Sequence, residues 1–135
     1  MQPPHVFLIA PFHPEAHPIQ DTVRRALEET GLKVAQYNDS MRPGAVLTIA
    51  IFDAIRDADL IIADLSGQNA NVLYELGFAH ALRKPTILLV DIKSGTGLPS
   101  FLAGFQYILY DSANLGRLTE QVKAETQAFS MRRSA

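Results

Sequence analysis

The 135-residue chain carries 12 Lys and Arg against 14 Asp and Glu, a formal charge of -2, and is 47% hydrophobic. That is enough apolar material for the core of a single domain spanning residues 1–135, and the charge balance excludes a protein that grips nucleic acid by neutralising phosphates. With no cysteine there is no disulfide framework, thiolate metal site or cysteine nucleophile, so a reducing, cytoplasmic setting is expected.

The opening "MQPPHVFLIAPF" has neither a basic leader nor the apolar run of a signal peptide, and no apolar stretch approaches the length that spans a bilayer. "HVFLIAP", His5 to Pro11, reads as a strand buried on both faces and closed by proline. "PIQDTVRRALEETG" follows as an amphipathic helix with Pro18 in its first turn, Ile19, Val23, Ala26 and Leu27 as its stripe, and Gly31 as its stop. "KVAQY" is a short second strand, "NDSMRPG" a loop, and "AVLTIAIFDAIRDA" a second helix. "LIIADL" is the third strand and "NVLYELGFAHALR" the third helix. "TILLV" makes a fourth strand and "DIKSGTGLPSFLAGF" a long loop. "YILY" is a fifth strand and "NLGRLTEQVKAETQAF" a closing helix, after which Arg132-Arg133 reads as a solvated basic pair.

Apolar strands alternating with helices imply an α/β, doubly wound domain. The spacing favours a flavodoxin-like, five-stranded parallel sheet of order 2-1-3-4-5 with helices on both faces. In that order strands 1 and 3 are neighbours whose connections leave in opposite directions, and ligands bind in the crevice opening there. Pro11, Phe12 and His13 then face the loop from Asp64 to Asn71.

Glu75 is the oddity of this region. At about 100° per residue, Val72, Leu73, Leu76, Ala79 and Leu82 form the apolar face of the third helix, and Glu75 projects between Ala79 and Leu82. A carboxylate there is stabilised by the helix dipole if it reaches solvent, or else loses hydration and shifts its pKa in a way chemistry can use. Ser66, Gly67 and Asn69 offer short side chains and backbone N–H groups near a helix N-terminus, where an anionic or hydroxyl-rich ligand is held. Asn71 is read either as the helix cap or as a ligand contact. Asp64 ends strand 3 as an Asx-turn residue or a site residue. A phosphoacceptor receiver is disfavoured: Pro11-Phe12-His13 replaces its acidic pair, and Asp91 stands where its lysine belongs. His80 lies on a different side of the helix from Glu75, and no grouping of His, Asp and Glu has metal-site spacing.

The segment "ADLIIADLSGQNANVLYELGFAHALRKPTILL", with "VFLIAPF" and "FQYILYD", resembles the superfamily of nucleoside 2-deoxyribosyltransferases, deoxynucleotide N-hydrolases and bacterial TIR-like nucleotide-binding domains. Its "N-x-N-V-x-Y-E-L-G-x-A" core is closest to the TIR-like branch. The resemblance implies that Glu75 is the catalytic carboxylate at the anomeric carbon of an N-ribosyl bond, with NAD as substrate rather than cofactor. It further implies that Gly77 lets the helix approach the sheet and that Tyr74 shapes the pocket. Two positions depart from the transferases: Asn69 stands where they hold the sugar 5′-hydroxyl with aspartate, and Ile51 where an aspartate handles the leaving base. The readings kept beside NAD hydrolysis are nucleoside or nucleotide deoxyribosyl transfer or hydrolysis, and a nucleotide-binding interaction module without turnover. Phe12 is expected to stack on the base or to pack on the first helix. Self-association is expected through Leu98, Phe101, Leu102 and Phe105, unless these side chains fold back over strands 4 and 5.

Overall fold

Alternation along the first strand builds both faces of the sheet at once. In a computed structural model, which describes residues 3–11, 13–36, 45–94, 100–102 and 104–134, β1 (His5–Ile9) sends Val6 and Leu8 into one core and Phe7 and Ile9 into the other. β2 (Lys33–Ala35), β3 (Leu60–Asp64), β4 (Thr86–Asp91) and β5 (Tyr107–Tyr110) complete a sheet of order β2-β1-β3-β4-β5. All four pairings are parallel, with Phe7 opposite both Ala35 and Ile61, and Ala63 opposite both Ile9 and Leu88. The doubly wound, flavodoxin-like architecture expected from the sequence is therefore the one adopted.

Helices α1 (His17–Glu29) and α4 (Leu115–Ser134) pack side by side on one face, burying Val23, Ala26, Leu27, Leu118 and Val122. On the other face α2 (Ala45–Asp57) and α3 (Ala70–Ala81) bury Ile51, Ile55, Val72, Leu76 and Ala79. Because the connection leaving β1 goes to the first face and the one leaving β3 to the second, the chain separates at the carboxyl ends of these two neighbouring strands.

Helix ends follow local and non-local rules in equal measure. Gly31, at φ +82°, closes α1 with its N–H donated to Glu28 O at 3.0 Å, as the glycine stop implied. The end of α2 is capped from a distance: Lys84 Nζ donates to Arg56 O at 2.6 Å and to Ala58 O at 2.8 Å. α4 runs to Ser134 rather than stopping near Phe129. Arg133 is correspondingly not a free solvated cation, since Nη1 lies 2.9 Å from Asp59 Oδ2, which also accepts the His5 N–H at 2.8 Å. Burial alone would raise the Asp59 pKa; the His5 N–H and the Arg133 guanidinium outweigh it and hold the carboxyl below its ordinary value.

Among the described residues of the connection between β4 and β5 are the short 3-10 turns Ile92–Ser94 and Ser100–Leu102. Leu102 is buried on the α3 face of the sheet, and Phe105 stacks on the His80 ring at 4.6 Å and 7°. Leu98, and the side chain of Phe101, lie outside the described residues. The expected apolar contact surface on this loop thus loses Leu102 to the core. Among the described residues no helix is long and apolar enough to cross a membrane.

Candidate functional site

The loop leaving β3 turns sharply to start α3. Gly67 and Gln68 both take left-handed backbone, at φ +73° and +50°, a region glycine enters without strain and glutamine does not. Asn69 follows as the helix cap. Its Oδ1 accepts the N–H groups of Asn71 at 2.9 Å and Val72 at 3.2 Å, satisfying two of the orphan donors at the helix start. The capping role considered for Asn71 therefore belongs to Asn69, while Asn71 is exposed on the first turn. Of the N–H groups expected to be open near this helix start, that of Ser66 is donated to Asp64 Oδ1 at 3.0 Å.

Asp64 is a structural hub at the end of β3. It is 3% exposed. Its Oδ1 accepts the Ser66 N–H at 3.0 Å, the Asx-turn read from the sequence, and both carboxylate oxygens accept from the Tyr110 hydroxyl at 3.3 and 3.2 Å. The Ser66 and Tyr110 hydroxyls are 2.9 Å apart, and the Asp91 N–H donates to Ser66 Oγ at 2.9 Å. Burial raises the Asp64 pKa against the Ser66 and Tyr110 hydrogen bonds that favour its charge. The cluster ties the ends of β3, β4 and β5 together below the loop that starts α3. The Asp64 side chain is buried and engaged within the protein, and the hydroxyl of the partly buried Ser66 is committed to Tyr110 and Asp91.

Tyr110 is the residue that sequence reasoning missed. Its partner is 46 positions away, so no local spacing betrays the pairing. The one available signal is alternation in "YILY", which puts Ile108 and Tyr110 on the buried side.

Glu75 occupies the flank of α3 that turns from the sheet toward α2. Val72, Leu76 and Ala79 are buried beneath it, while Phe78 of the same helix stacks on Phe52 of α2 at 4.3 Å. The carboxylate is half-buried, and no described residue donates a hydrogen bond or an ion pair to it. Loss of hydration with nothing to replace it pushes its pKa up to about 7 from 4.5. α3 as a whole lies across β1 and β3, the neighbouring strands at whose ends the chain separates.

The β1 side of the separation is held just as firmly. Pro11 is buried and its carbonyl accepts from Gln20 Nε2 at 2.7 Å; Gln20 Oε1 in turn accepts from Gln36 Nε2, and Gln36 Oε1 from Arg24. His13 is exposed, with Nδ1 3.1 Å from Glu15 Oε2. Phe12 lies outside the described residues. Gly77 does not bring the helix onto the sheet, because it faces solvent with nothing within 4 Å of where a Cβ would stand. Tyr74 is exposed with its ring 5.7 Å from Phe52. His80 shares a hydrogen bond of 3.0 Å with the Thr86 hydroxyl on the opposite flank from Glu75. Ile51 is buried in the α2–α3 core. Among the described residues no group of three or more His, Asp or Glu could hold a metal ion.

No family model and no curated protein matches the chain. Solved structures do. The CMP N-glycosidase of Clostridium botulinum is 24% identical, with a TM-score of 0.62 over 84% of this chain and 97% of that one. The 2-deoxyribosyltransferase of Bacillus psychrosaccharolyticus is 18% identical, with a TM-score of 0.66 over 82% of this chain and 95% of that one. The TIR domains of the Roq1 resistosome are 12% identical, with a TM-score of 0.54 over 92% of this chain and 84% of that one. At these identities the likeness is one of fold.

Proposed function

We propose that the chain is an N-glycosidase that breaks the N-ribosyl bond of a nucleotide, with NAD as the first candidate substrate and Glu75 as its catalytic carboxylate. The observation that carries the reading is Glu75 itself: a half-buried carboxyl without a partner among the described residues, its pKa pushed up to about 7, on the helix that lies across the strands where the chain separates. A carboxylate kept without a partner is in an unfavourable state that a positively charged centre relieves. Cleavage of an N-glycoside supplies one, because the C1′–N bond breaks with its electrons going to the base and C1′ acquires oxocarbenium character. The Glu75 carboxylate would oppose that charge or bond to C1′. Water then adds to C1′ and gives up a proton, leaving the free sugar hydroxyl.

The number of acids favours NAD within this reaction class. A cytosine or purine leaves readily only when a proton is delivered to it. The nicotinamide of NAD is already cationic at its glycosidic nitrogen and leaves neutral. The position matched to the base-handling aspartate of the transferases carries Ile51, buried and apolar, and the Asp64 carboxylate is occupied by Tyr110 and Ser66. One carboxylate suffices for a pyridinium leaving group. The fold likeness to a CMP N-glycosidase and a 2-deoxyribosyltransferase supports the broader class and keeps deoxyribosyl transfer or hydrolysis as the second reading.

The test is to incubate the full chain over a range of concentrations with NAD and with a panel of nucleosides and 5′-nucleotides, then to resolve the bases released by chromatography. Nicotinamide from NAD is expected. A pyrimidine or purine released instead moves the assignment to the second reading. Tight nucleotide binding by calorimetry, unchanged in Glu75→Gln and with no base released, would make the domain a binding module and overturn the enzymatic reading.

A further inference from the structure

The two edges of the sheet are built differently. At one edge, β2 is three residues long and opens with the exposed Lys33, the kind of charge that discourages strand addition. At the other edge, "QYILYD" carries no lysine, proline or bulge, and β5 pairs only with β4 among the described residues. Tyr107 and Leu109, on the face that α4 does not cover, are each 48% exposed, and Ile92 nearby is 56% exposed. A groove runs between this open edge and the flank of α4, lined by Tyr107 to Asp111 from the strand and by Arg117, Gln121 and Glu125 from the helix. Within it Gln121 Oε1 is buried with no hydrogen-bond partner, a state that natural structures rarely leave uncompensated.

Arg117, Gln121 and Glu125 are spaced four apart, so they line one flank of the helix. Read in the opposite direction, the row is complementary to itself. We propose that this edge is a dimer interface between two copies of the chain, related by a two-fold axis through Ile108 and Gln121, with β5 adding to its copy in antiparallel fashion to give a continuous ten-stranded sheet. Arg117 of each copy meets Glu125 of the other, and the two Gln121 side chains lie beside each other at the axis. Tyr107 of each strand meets Leu109 of the other on the uncovered face.

The register is consistent between the two elements. Gln106 Nε2 donates to Glu125 Oε2 at 3.2 Å, which fixes the start of β5 beside Glu125. Helix rise is about half strand rise per residue, so two steps along β5 to Ile108 correspond to about four steps back along α4, to Gln121. One axis can therefore pass through the centre of both rows. This inference is independent of the catalytic reading.

The test is the association state of the full chain by sedimentation equilibrium, with folding of each variant checked by its melting curve. The wild type is expected to be a dimer. Arg117→Glu and Glu125→Arg alone should each raise the dimer Kd by at least about tenfold, since the axis places every reversed pair in the interface twice. The double variant R117E/E125R should recover dimerisation, because reversed charges meet again across the axis. Leu109→Lys, which puts a charge on the open edge, should give monomers. A wild type that stays monomeric at 100-micromolar order, or a double variant no better than the singles, overturns the proposal.

Discussion

Replacing Glu75 by glutamine should make the protein more stable at neutral and alkaline pH. In the folded state burial moves the pKa of Glu75 from 4.5 to about 7, so between these values the folded protein binds more protons than the unfolded chain. Stability is then highest below the unfolded value and falls as pH rises through the interval, with the full penalty present above pH 7. At 1.36 kcal/mol per pKa unit the shift corresponds to about 3 kcal/mol, and solvent screening of a half-buried group reduces that to about 1–2 kcal/mol. Glutamine has nearly the same shape and no charge, so it keeps the packing and removes the penalty. For a domain of this size Tm should rise by about 3–8 °C at pH 8, with little change at pH 4.5. Differential scanning calorimetry of both proteins at the two pH values measures it. A variant equally displaced at both pH values, or less stable at pH 8, would refute the idea that an unrelieved charge sits there.

If the carboxylate form of Glu75 is the one that works, kcat/KM for base release should rise with pH through an inflection near 7 and level off above it; a rate falling through that inflection would instead assign it the role of an acid. Tyr110→Phe removes the hydroxyl shared by Asp64 and Ser66 and should lower stability by about 1–3 kcal/mol, which chemical denaturation checks. Lys84→Met removes the two hydrogen bonds that cap α2 and should lower Tm by several degrees, at about 1–2 kcal/mol, while leaving the affinity for nucleotide unchanged in calorimetry. Asn69→Ala loses the cap of α3 and should lower stability by about 1 kcal/mol in a denaturant melt.

What could be read in advance is what depends on period and neighbours. The strand order follows from apolar runs alternating with helices, and Glu75 stands out because helical angles put it between Ala79 and Leu82 of an apolar stripe; the exposure of Leu82 leaves it on the flank instead. What could not be read depends on contacts far apart in the chain. The Tyr110–Asp64 pairing crosses 46 positions and the Lys84 cap reaches back 28. α4 continues through residues without an apolar pattern, and Arg133 near its end pairs with Asp59. Asn69 and Asn71 are equally good caps by composition; the left-handed turn at Gly67 and Gln68 decides for Asn69. Gly77 misled because a small residue in a helix fits close packing and open solvent alike, and only the side it faces distinguishes them.

If the Glu75 carboxylate drives breakage of an N-ribosyl bond, removing its charge must stop base release without stopping binding. The most direct measurement is the rate of nicotinamide release from NAD at pH 8 by the wild type and Glu75→Gln, at matched concentration and with binding of NAD followed in the same preparations. Release by the wild type, a loss on the order of a thousandfold in the variant, and NAD still bound are expected. Release at the wild-type rate by Glu75→Gln would contradict that role of the carboxylate.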